Sequence, residues 1–287
     1  MCPKSDNFVK NIFGGDFDPK KKYVIAIQGV STSGKSTFVE KLKDVLANRC
    51  RKSCKVVAVS TDNFYMDNPF KTQSQEEIGR YDFDNPAAID WNAMFKCFKS
   101  YLSDDKKCTK SSYDFISKIR SETQIENPGF NVIIVEGIFA HNLFNEKIFN
   151  VSQYDSFNSA KEVTAPYIEN TYINKLPKFK ILKLFLDLDK ETMLRARIRV
   201  DRLRSKMSKE ESIARFNNFV YPATLKWVKT ANSCNTHKIL ARGTRNIDEC
   251  SKVFTEIANF FGAGITEEYL SSYLSQLANA IHEDEMD

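Results

Sequence analysis

A glycine-rich loop motif constrains the fold of this chain more than any other feature of its sequence. Residues 29–37 read GVSTSGKST, which matches the pattern G-x-x-x-x-G-K-[S/T]. The apolar run YVIAIQ precedes the motif at residues 23–28, and an amphipathic helical pattern follows it. A strand, such a loop and a helix N-terminus in this order form a cradle of backbone N–H groups for phosphate oxygens. The motif therefore predicts a nucleotide-binding α/β protein, although it does not specify an activity.

Each residue type in the loop has an expected role in nucleotide binding. Gly29 and Gly34 allow the tight backbone path, Lys35 reaches the β- and γ-phosphates, and the Ser36 hydroxyl ligates Mg²⁺. Because Lys35 contacts the phosphoryl group in transfer, it is also an expected catalytic residue. The other loop positions expected to contact the nucleotide are Ser31, Thr32, Ser33 and Thr37.

Apolar, β-branched runs alternate with helical periodicity along the chain, which predicts βαβ units around a parallel sheet. Strands are expected at residues 23–28, 55–60, 131–136, 181–188 and 237–240. Helices are expected at residues 35–48, 88–102, 190–205 and 210–229, with another ending near Phe261 and a last amphipathic segment at 267–281. Residues 103–112, SDDKKCTKSS, are interpreted as a solvated loop. The expected fold is a three-layer α/β fold of the P-loop NTPase type with a central sheet of five parallel strands.

Composition excludes several classes of protein. No apolar run approaches the ~18–20 residues that a membrane helix needs, and residues 1–11 lack the apolar stretch of a secretory signal, so we expect a cytoplasmic protein. Seven cysteines are scattered without a CxxC pair, which favours reduced thiols over a disulfide framework or a zinc site. The net charge of +5 is concentrated between Lys190 and Glu211, where eight basic residues stand against four acidic ones. Such a surplus alone would also fit a nucleic-acid partner.

Acidic residues accompany the ends of two predicted strands. Asp62 follows the second strand in STDNFY, and Glu136 ends the third. Because ligands of open parallel sheets bind at the carboxyl ends of the strands, both carboxylates are expected to face the same phosphates as Lys35. We assign Asp62 as the general base, with a place near the metal, and Glu136 as a metal ligand beside Ser36. The alternatives are a turn-capping role for Asp62 and a plain surface position for Glu136.

Seven motifs together resemble one family, the uridine–cytidine kinases, within the wider group that includes phosphoribulokinase. They are GVSTSGKST (29–37), STDNFY (60–65), YDFDNPAAIDW (81–91), YDFISKIRSET (113–123), VIIVEGIFA (132–140), KLFLDLDKETMLRARIRVD (183–201) and FNNFVYPATLKWV (216–228). The resemblance spans residues 23–261 and implies a P-loop kinase that uses Mg²⁺ and ATP, or alternatively GTP, as phosphoryl donor. It further implies transfer to the 5′-hydroxyl of uridine or cytidine, giving the monophosphate for pyrimidine salvage.

The resemblance also implies roles for individual residues outside the loop. Asp84 and Arg197 match the pair that holds the ribose 2′- and 3′-hydroxyls, since a carboxylate and a guanidinium can together bind a vicinal diol. The residues that match the pocket around the nucleoside are Tyr65, Phe83, Tyr113, Phe115, Lys118 and Arg120. Any one of the aromatic rings, taken alone, fits an ordinary core position better than a binding site.

The basic segment at about residues 190–211 matches the lid that closes on ATP in this family. Closure would bring positive charge to the transferring phosphoryl group and would exclude water. Arg199 and Arg202 are the expected phosphate contacts, because Val200 stands where the family has an arginine. The alternative is a solvated basic face of a helix.

The expected domain organisation is one P-loop kinase domain with additions. The domain spans residues 23–261, after an extension at 1–22 and before a helical extension with an acidic tail at 262–287. Residues 141–179, rich in Asn, Lys, Ser and Tyr, are interpreted as an inserted flap. The expected partners are a small nucleoside and, because the family commonly forms tetramers, further copies of the chain. Neither a membrane nor a nucleic acid is an expected partner.

Two departures from the family pattern leave other functions open. Lys118 replaces a histidine that reads the pyrimidine edge, and a lysine donates hydrogen bonds but cannot accept them. Another ribosyl acceptor, such as nicotinamide riboside, is therefore an alternative. Together with Val200 and the basic surplus, this change also leaves open a nucleotide-binding regulatory or RNA-associated protein that has lost the kinase reaction.

Overall fold

The central sheet has the five parallel strands that the sequence predicts. The structure is a computed structural model that describes residues 8–50, 54–66, 82–115, 117, 119–144, 176–229, 236–240, 244–266 and 268–272. In chain order the strands are β1 (Tyr23–Gly29), β2 (Val56–Ser60), β3 (Lys107–Asp114), β4 (Ile119–Glu126), β5 (Val132–Gly137), β6 (Lys180–Asp187) and β7 (Thr236–Leu240). The sheet order is β2-β5-β1-β6-β7, with every pair parallel. The P-loop strand β1 therefore lies in the middle of the sheet.

Helices cover both faces of this sheet. They are α1 (Phe8–Phe13), α2 (Lys35–Arg49), α3 (Trp91–Leu102), α4 (Lys190–Ser205), α5 (Lys209–Arg215) and α6 (Thr244–Phe260). After α5 the chain stays helical through Phe216–Val220, Tyr221–Ala223 and Thr224–Val228, the first and last of which are π-helical. We call residues 209–228 the return helix, and α4 with the return helix the 190–228 hairpin.

Each face of the sheet has its own apolar core, because the strands are buried on both sides. One core holds Phe13 of α1, Phe38 of α2 and Phe254 of α6. The other holds Trp91 of α3 together with Trp227 of the return helix. The predicted three-layer α/β architecture is confirmed, and it brings the carboxyl ends of β1, β2, β5 and β6 to one edge of the sheet.

The interpretation of residues 103–112 as a solvated loop is wrong. Lys107–Asp114 forms β3, which pairs with β4 as an antiparallel hairpin. Ser111 and Tyr113, two residues apart, are buried on one face of β3, and Cys108 is buried on the other. Up to residue 112 the segment is mostly polar, and its buried positions Cys108 and Ser111 are three residues apart, so it shows neither an apolar run nor a period of two.

The expectation of reduced cysteines is wrong for one pair. Cys50, directly after α2, and Cys54, shortly before β2, are joined by a disulfide, with their Cα atoms 6.0 Å apart. This separation lies within the range that a disulfide allows. Cys97, Cys108 and Cys250 are free and buried, as expected, and the other two cysteines lie outside the described residues.

The predicted additions to the domain are described in part. Val9, Phe13 and Phe17 of the N-terminal extension are buried against the sheet, so this segment contributes to the core. Of the insertion at 141–179, residues 145–175 lie outside the described residues, as do 273–281 of the last amphipathic segment. Within the parts of the chain that the structure covers, no helix has the length and apolarity to span a membrane.

Candidate active site

The loop between β1 and α2 has the backbone conformation that its glycines predict. Gly34, the residue before α2, has a φ of 84°, and Thr32 has a φ of 61°, so two residues of the loop adopt left-handed conformations. At Gly29 a Cβ atom would collide with the carbonyl oxygen of Leu186 and would lie 2.9 Å from the Ser33 hydroxyl. The loop therefore needs glycine at position 29 for space and at position 34 for conformation.

Lys35 lies buried at the centre of the loop. Its ammonium group donates to the Val30 carbonyl oxygen at 2.8 Å and lies 3.5 Å from the Ser33 hydroxyl. Burial lowers the pKa of this ammonium group, while the negative charges of Glu136, Asp62 and Asp84 raise it. The predicted phosphate-binding lysine is therefore surrounded by the three predicted carboxylates. The Ser36 and Thr37 side chains are exposed in the first turn of α2.

Asp62 and Glu136 lie side by side at the ends of neighbouring strands. Glu136 pairs in register with Ser60, the last residue of β2, and Asp62 lies two residues further on, in a short 3₁₀ turn. The Ser60 hydroxyl accepts from the Asp62 backbone N–H at 3.3 Å and donates to Glu136. Burial raises the pKa of Glu136, as does Asp62, while Lys35 and Ser60 lower it. Glu136 is thus a buried carboxylate, and Asp62 is the more exposed of the two.

A short segment at residues 82–84 contributes two further acidic side chains. Asp84 is buried, and its backbone N–H donates to the Asp82 carboxylate at 3.1 Å. Burial and the neighbouring Asp84 raise the pKa of Asp82 to about 7, although Arg215 of the return helix opposes this shift. The Arg215 guanidinium lies 5.5 Å from the centre of the Phe83 ring. Two acidic groups and an arginine therefore surround Phe83.

The four aromatic side chains predicted for the base pocket lie in one cluster. The Tyr65 ring is 5.8 Å from that of Phe83, 5.5 Å from that of Tyr113 and 6.3 Å from that of Phe115. Phe115 is 48% exposed, whereas Tyr65 and Tyr113 are buried. Burial raises the pKa of the Tyr65 hydroxyl, and the negative charges of Asp62 and Asp84 raise it further. The cluster is thus partly core and partly open to solvent.

Arg197 connects the 190–228 hairpin with the loop. Its Nε donates to the Asp201 carboxylate at 3.0 Å, and its guanidinium also donates to the Ser31 hydroxyl at 3.1 Å. Burial alone would lower the pKa of Arg197, but Asp84 and Asp201 raise it above the usual value. The guanidinium is therefore held by hydrogen bonds to Asp201 and to Ser31 of the phosphate-binding loop, within electrostatic range of Asp84.

The other predicted basic residues are less closely tied to these groups. Arg120 forms an ion pair at 2.8 Å with Asp90, the residue that caps the N-terminus of α3. Arg202 is exposed on α4. Arg199 is half-buried on the same helix, and Lys118 lies outside the described residues. The sequence analysis did not assign Asp82 to the site, although its position two residues before Asp84 was a signal that the two side chains lie close together. It also missed Ser60, Asp201 and Arg215, which only the folded arrangement brings to the site.

The parallel sheet and the loop between β1 and α2 form a three-layer α/β fold of the P-loop type, and comparison with known proteins agrees. Residues 24–157 match the sequence profile of the Phosphoribulokinase / Uridine kinase family. Uridine kinase of Mycoplasma pneumoniae is 32% identical over 143 residues, which are 50% of this chain and 63% of that protein, so less than two thirds of its length is matched. Uridine-cytidine kinase B of Dictyostelium discoideum is 24% identical over 228 residues, 79% of this chain and 78% of that protein. The predicted resemblance to this family is confirmed.

A solved structure supports the same fold. The structure of the YGR205w protein superposes with a TM-score of 0.52 at 17% sequence identity, over 77% of this chain and 87% of that one. At this identity the likeness concerns the fold and not the substrate.

Proposed function

We propose that this protein is a phosphotransferase that uses ATP and Mg²⁺ to phosphorylate the 5′-hydroxyl of uridine or cytidine. The observation that carries the proposal is the buried Lys35 ammonium group among the carboxylates of Asp62, Glu136 and Asp84. A cation suited to the transferring phosphoryl group thus lies beside acidic groups suited to the attacking hydroxyl. The names of the matched relatives, uridine kinase and uridine-cytidine kinase, support the same chemistry.

Asp62 is the general base in this proposal. Its carboxylate is more exposed than that of Glu136, and it lies near both Lys35 and Tyr65 of the aromatic cluster. An acceptor hydroxyl between these groups could give its proton to Asp62 as its oxygen attacks the γ-phosphorus. The bond to the β,γ-bridging oxygen would then break, with ADP leaving.

The residues around Lys35 fit a magnesium ion. Asp62 and Glu136 offer carboxylate oxygens and Ser36 offers a hydroxyl, which are donors that Mg²⁺ prefers. Burial, and then the negative charge of Asp62, raise the pKa of Glu136, so a divalent cation would stabilise both carboxylates in ionised form. Mg²⁺ at such sites is usually bound by one or two carboxylates together with substrate phosphates. Bound Mg²⁺ would neutralise charge on the transferring phosphoryl group.

The acceptor would bind between Asp84, Arg197 and the aromatic cluster. Asp84 can accept from the ribose hydroxyls and Arg197 can donate to them, and the two already interact electrostatically. The rings of Phe83 and Phe115 offer faces for a pyrimidine. Arg197, with Arg199 and Arg202 further along α4, would bring positive charge toward the phosphates when the hairpin closes.

An acceptor screen tests the proposal. The chain is incubated with ATP and Mg²⁺ and one of six compounds: uridine, cytidine, adenosine, deoxycytidine, nicotinamide riboside or pantothenate, while ADP release and the phosphorylated product are measured. We expect uridine or cytidine to give the highest kcat/KM, with UMP or CMP as product. Nicotinamide riboside as the best acceptor would replace the pyrimidine assignment but keep the ribosyl kinase.

A screen without acceptor-dependent ADP from any compound would contradict the kinase proposal. Salt-sensitive RNA binding under the same conditions would then favour the regulatory or RNA-associated alternative. GTP in place of ATP tests the donor, and the oligomeric state and cytoplasmic location stay predictions.

A further inference from the structure

Gln28 is a polar side chain buried in the middle of the central sheet. It is fully buried on β1, directly before Gly29, and the residues before it on the same strand are apolar or aromatic. Its amide nitrogen donates to the Val228 carbonyl oxygen at 2.7 Å, and its amide oxygen accepts from the His141 backbone N–H, also at 2.7 Å. Both ends of the amide are therefore used, which offsets the cost of burying it.

The two partners of Gln28 belong to different parts of the site. His141 lies four residues after Gly137, at the end of the turn that follows Glu136, and its imidazole Nε2 lies 3.1 Å from the Ala26 carbonyl oxygen. Val228 is the last residue of the return helix, where carbonyl groups lack partners within the helix. Gln28 thus joins the P-loop strand to the Glu136 turn and to the end of the 190–228 hairpin.

Lys229, the residue after Val228, forms an ion pair in the same region. The Lys229 ammonium group lies 2.9 Å from the Asp187 carboxylate at the end of β6, and Lys238 of β7 lies 2.8 Å from that carboxylate. β6 itself borders the loop, since the Val30 N–H donates to the Leu186 carbonyl oxygen at 3.1 Å. The end of the return helix is therefore fixed at two adjacent points beside the phosphate-binding loop.

The 190–228 hairpin also contacts the phosphate-binding loop through its first helix, α4. Arg197, in the middle of α4, donates to the Ser31 hydroxyl of the loop, and the other end of the hairpin contacts Gln28 of β1, directly before the loop. The last turn before Val228 is π-helical, a geometry that is often found where a helix serves function. A displacement of this end would move the helix that packs beside α4 and Arg197.

We infer that Gln28 is a positioning residue for phosphoryl transfer, whose amide fixes the end of the return helix to the P-loop strand and thereby sets the place of Arg197 beside the phosphate-binding loop. The inference rests on the proposed kinase function. It predicts that loss of the Gln28–Val228 hydrogen bond loosens the hairpin, weakens nucleotide binding and lets water compete with the acceptor.

The substitution Gln28→Glu tests the hydrogen bond to Val228 alone, because it keeps the size of the side chain and its bond to His141. The carboxylate still accepts from His141, but it donates to Val228 only when it is protonated, and burial raises the pKa of a carboxyl group. We expect kcat/KM for ATP, divided by the wild-type value at the same pH, to approach one at low pH and to fall roughly tenfold as the pH rises. Acceptor-independent ADP release should rise relative to transfer over the same range. Gln28→Met should show the loss at every pH.

Two controls keep the inference falsifiable. Gln124→Glu makes the same change on the exposed strand β4 and should keep wild-type kinetics at every pH. Thermal unfolding of all variants over the pH range measures stability separately. A merely structural Gln28 would lower the melting temperature without changing the ratio of ADP hydrolysis to transfer. A pH-independent activity ratio for Gln28→Glu, or wild-type kinetics for Gln28→Met, would overturn the inference.

A readout without turnover distinguishes failure of this inference from failure of the proposed function. If the wild type transfers no phosphoryl group to any acceptor, the kinase proposal fails, and hydrogen exchange of residues 216–229 still tests the tether. We expect about tenfold faster exchange there in Gln28→Met than in wild type, and weaker binding of a non-hydrolysable ATP analogue. Unchanged exchange in a folded Gln28→Met protein would overturn the inference.

Discussion

In the proposed kinase, the side of the site that binds the phosphoryl donor and the side that binds the acceptor are built in different ways. The donor side consists of nine consecutive residues, 29–37, and of two carboxylates at the ends of neighbouring strands. The acceptor side combines side chains from the 3₁₀ turn after β2, the 82–84 segment, the β3–β4 hairpin and the 190–228 hairpin. Local backbone geometry thus fixes the donor side, whereas the acceptor side exists only after distant segments have packed. We therefore expect substitutions on the first to impair chemistry and substitutions on the second to impair nucleoside binding.

Asp62→Asn should give the largest effect, because an amide cannot take the proton of the acceptor hydroxyl. We expect kcat to fall by roughly 10²–10⁴-fold, the usual contribution of a general base. Nucleotide affinity, measured by titration with a non-hydrolysable ATP analogue, should change only a few-fold, since the loop and Lys35 remain. Asp105→Asn, an exposed carboxylate away from the site, serves as the control. A kcat within a few-fold of wild type would exclude Asp62 as the base.

Much of the donor side could be predicted from the sequence because its signals are local. The motif at 29–37 and the apolar runs before it and around Glu136 each determine nearby backbone structure. The parallel sheet then brings the strand ends together by its topology alone. Continuous apolar runs mark β1, β2, β5 and β6. All five strands, the more polar edge strand β7 included, were predicted within a few residues of their observed bounds.

The acceptor side was harder to predict, because its residues are distant in the sequence and come together only when the chain has folded. Asp82 and Arg215 are separated by more than a hundred residues, yet each affects the charge balance around Phe83. The polar strand β3, which carries Tyr113, lacks the apolar run of the central strands and was missed for that reason. A single sequence contains no record of such pairings, so motifs could suggest these residues only where a family resemblance supplied them.

Asp84→Asn tests whether the acceptor side acts on the nucleoside alone. We expect the KM for uridine to rise roughly 10–100-fold, the value of a hydrogen bond to a charged group, with little change in the KM for ATP. Deoxycytidine lacks the 2′-hydroxyl, so its KM should rise less than that of cytidine. Steady-state kinetics with both acceptors measures this difference. Equal losses for the two acceptors, or a loss confined to ATP, would contradict the assignment of Asp84 to the ribose.

Gly137→Ala should damage the donor side without removing a charged group. Gly137 has a φ of 142°, and a Cβ atom there would collide with the side chain of Thr61, which precedes Asp62. We expect a loss of about 1–3 kcal/mol in the free energy of unfolding, and a lower kcat because the base is displaced. Gly264→Ala is the matched control, since its Cβ would meet no atom within 4 Å. Thermal unfolding of both variants checks the stability, and equal melting temperatures would refute the close contact with Thr61.

Asp82→Asn should give the smallest effect of these substitutions, a change in how the stability of the folded protein depends on pH. The pKa of Asp82 is raised from 3.8 to about 7, so the folded protein binds more protons than the unfolded chain between these values. The stability that wild-type Asp82 contributes therefore declines as the pH rises through this range, whereas that of an asparagine stays constant. The side-chain oxygen of the introduced asparagine would still accept from the Asp84 N–H, so the segment should keep its conformation.

The melting temperature of Asp82→Asn relative to wild type should thus increase from about pH 4 to about pH 7 and then level off, by roughly 2–4 °C for each kcal/mol gained. Asp105→Asn, measured in parallel, corrects for the change in net charge. A difference that does not vary with pH would mean that Asp82 is ionised in the folded protein throughout. Because Arg215 is the cation that favours ionisation of Asp82, Arg215→Gln should extend the sloping range to higher pH. The acceptor side would then respond to pH through contacts between segments that are distant in the sequence.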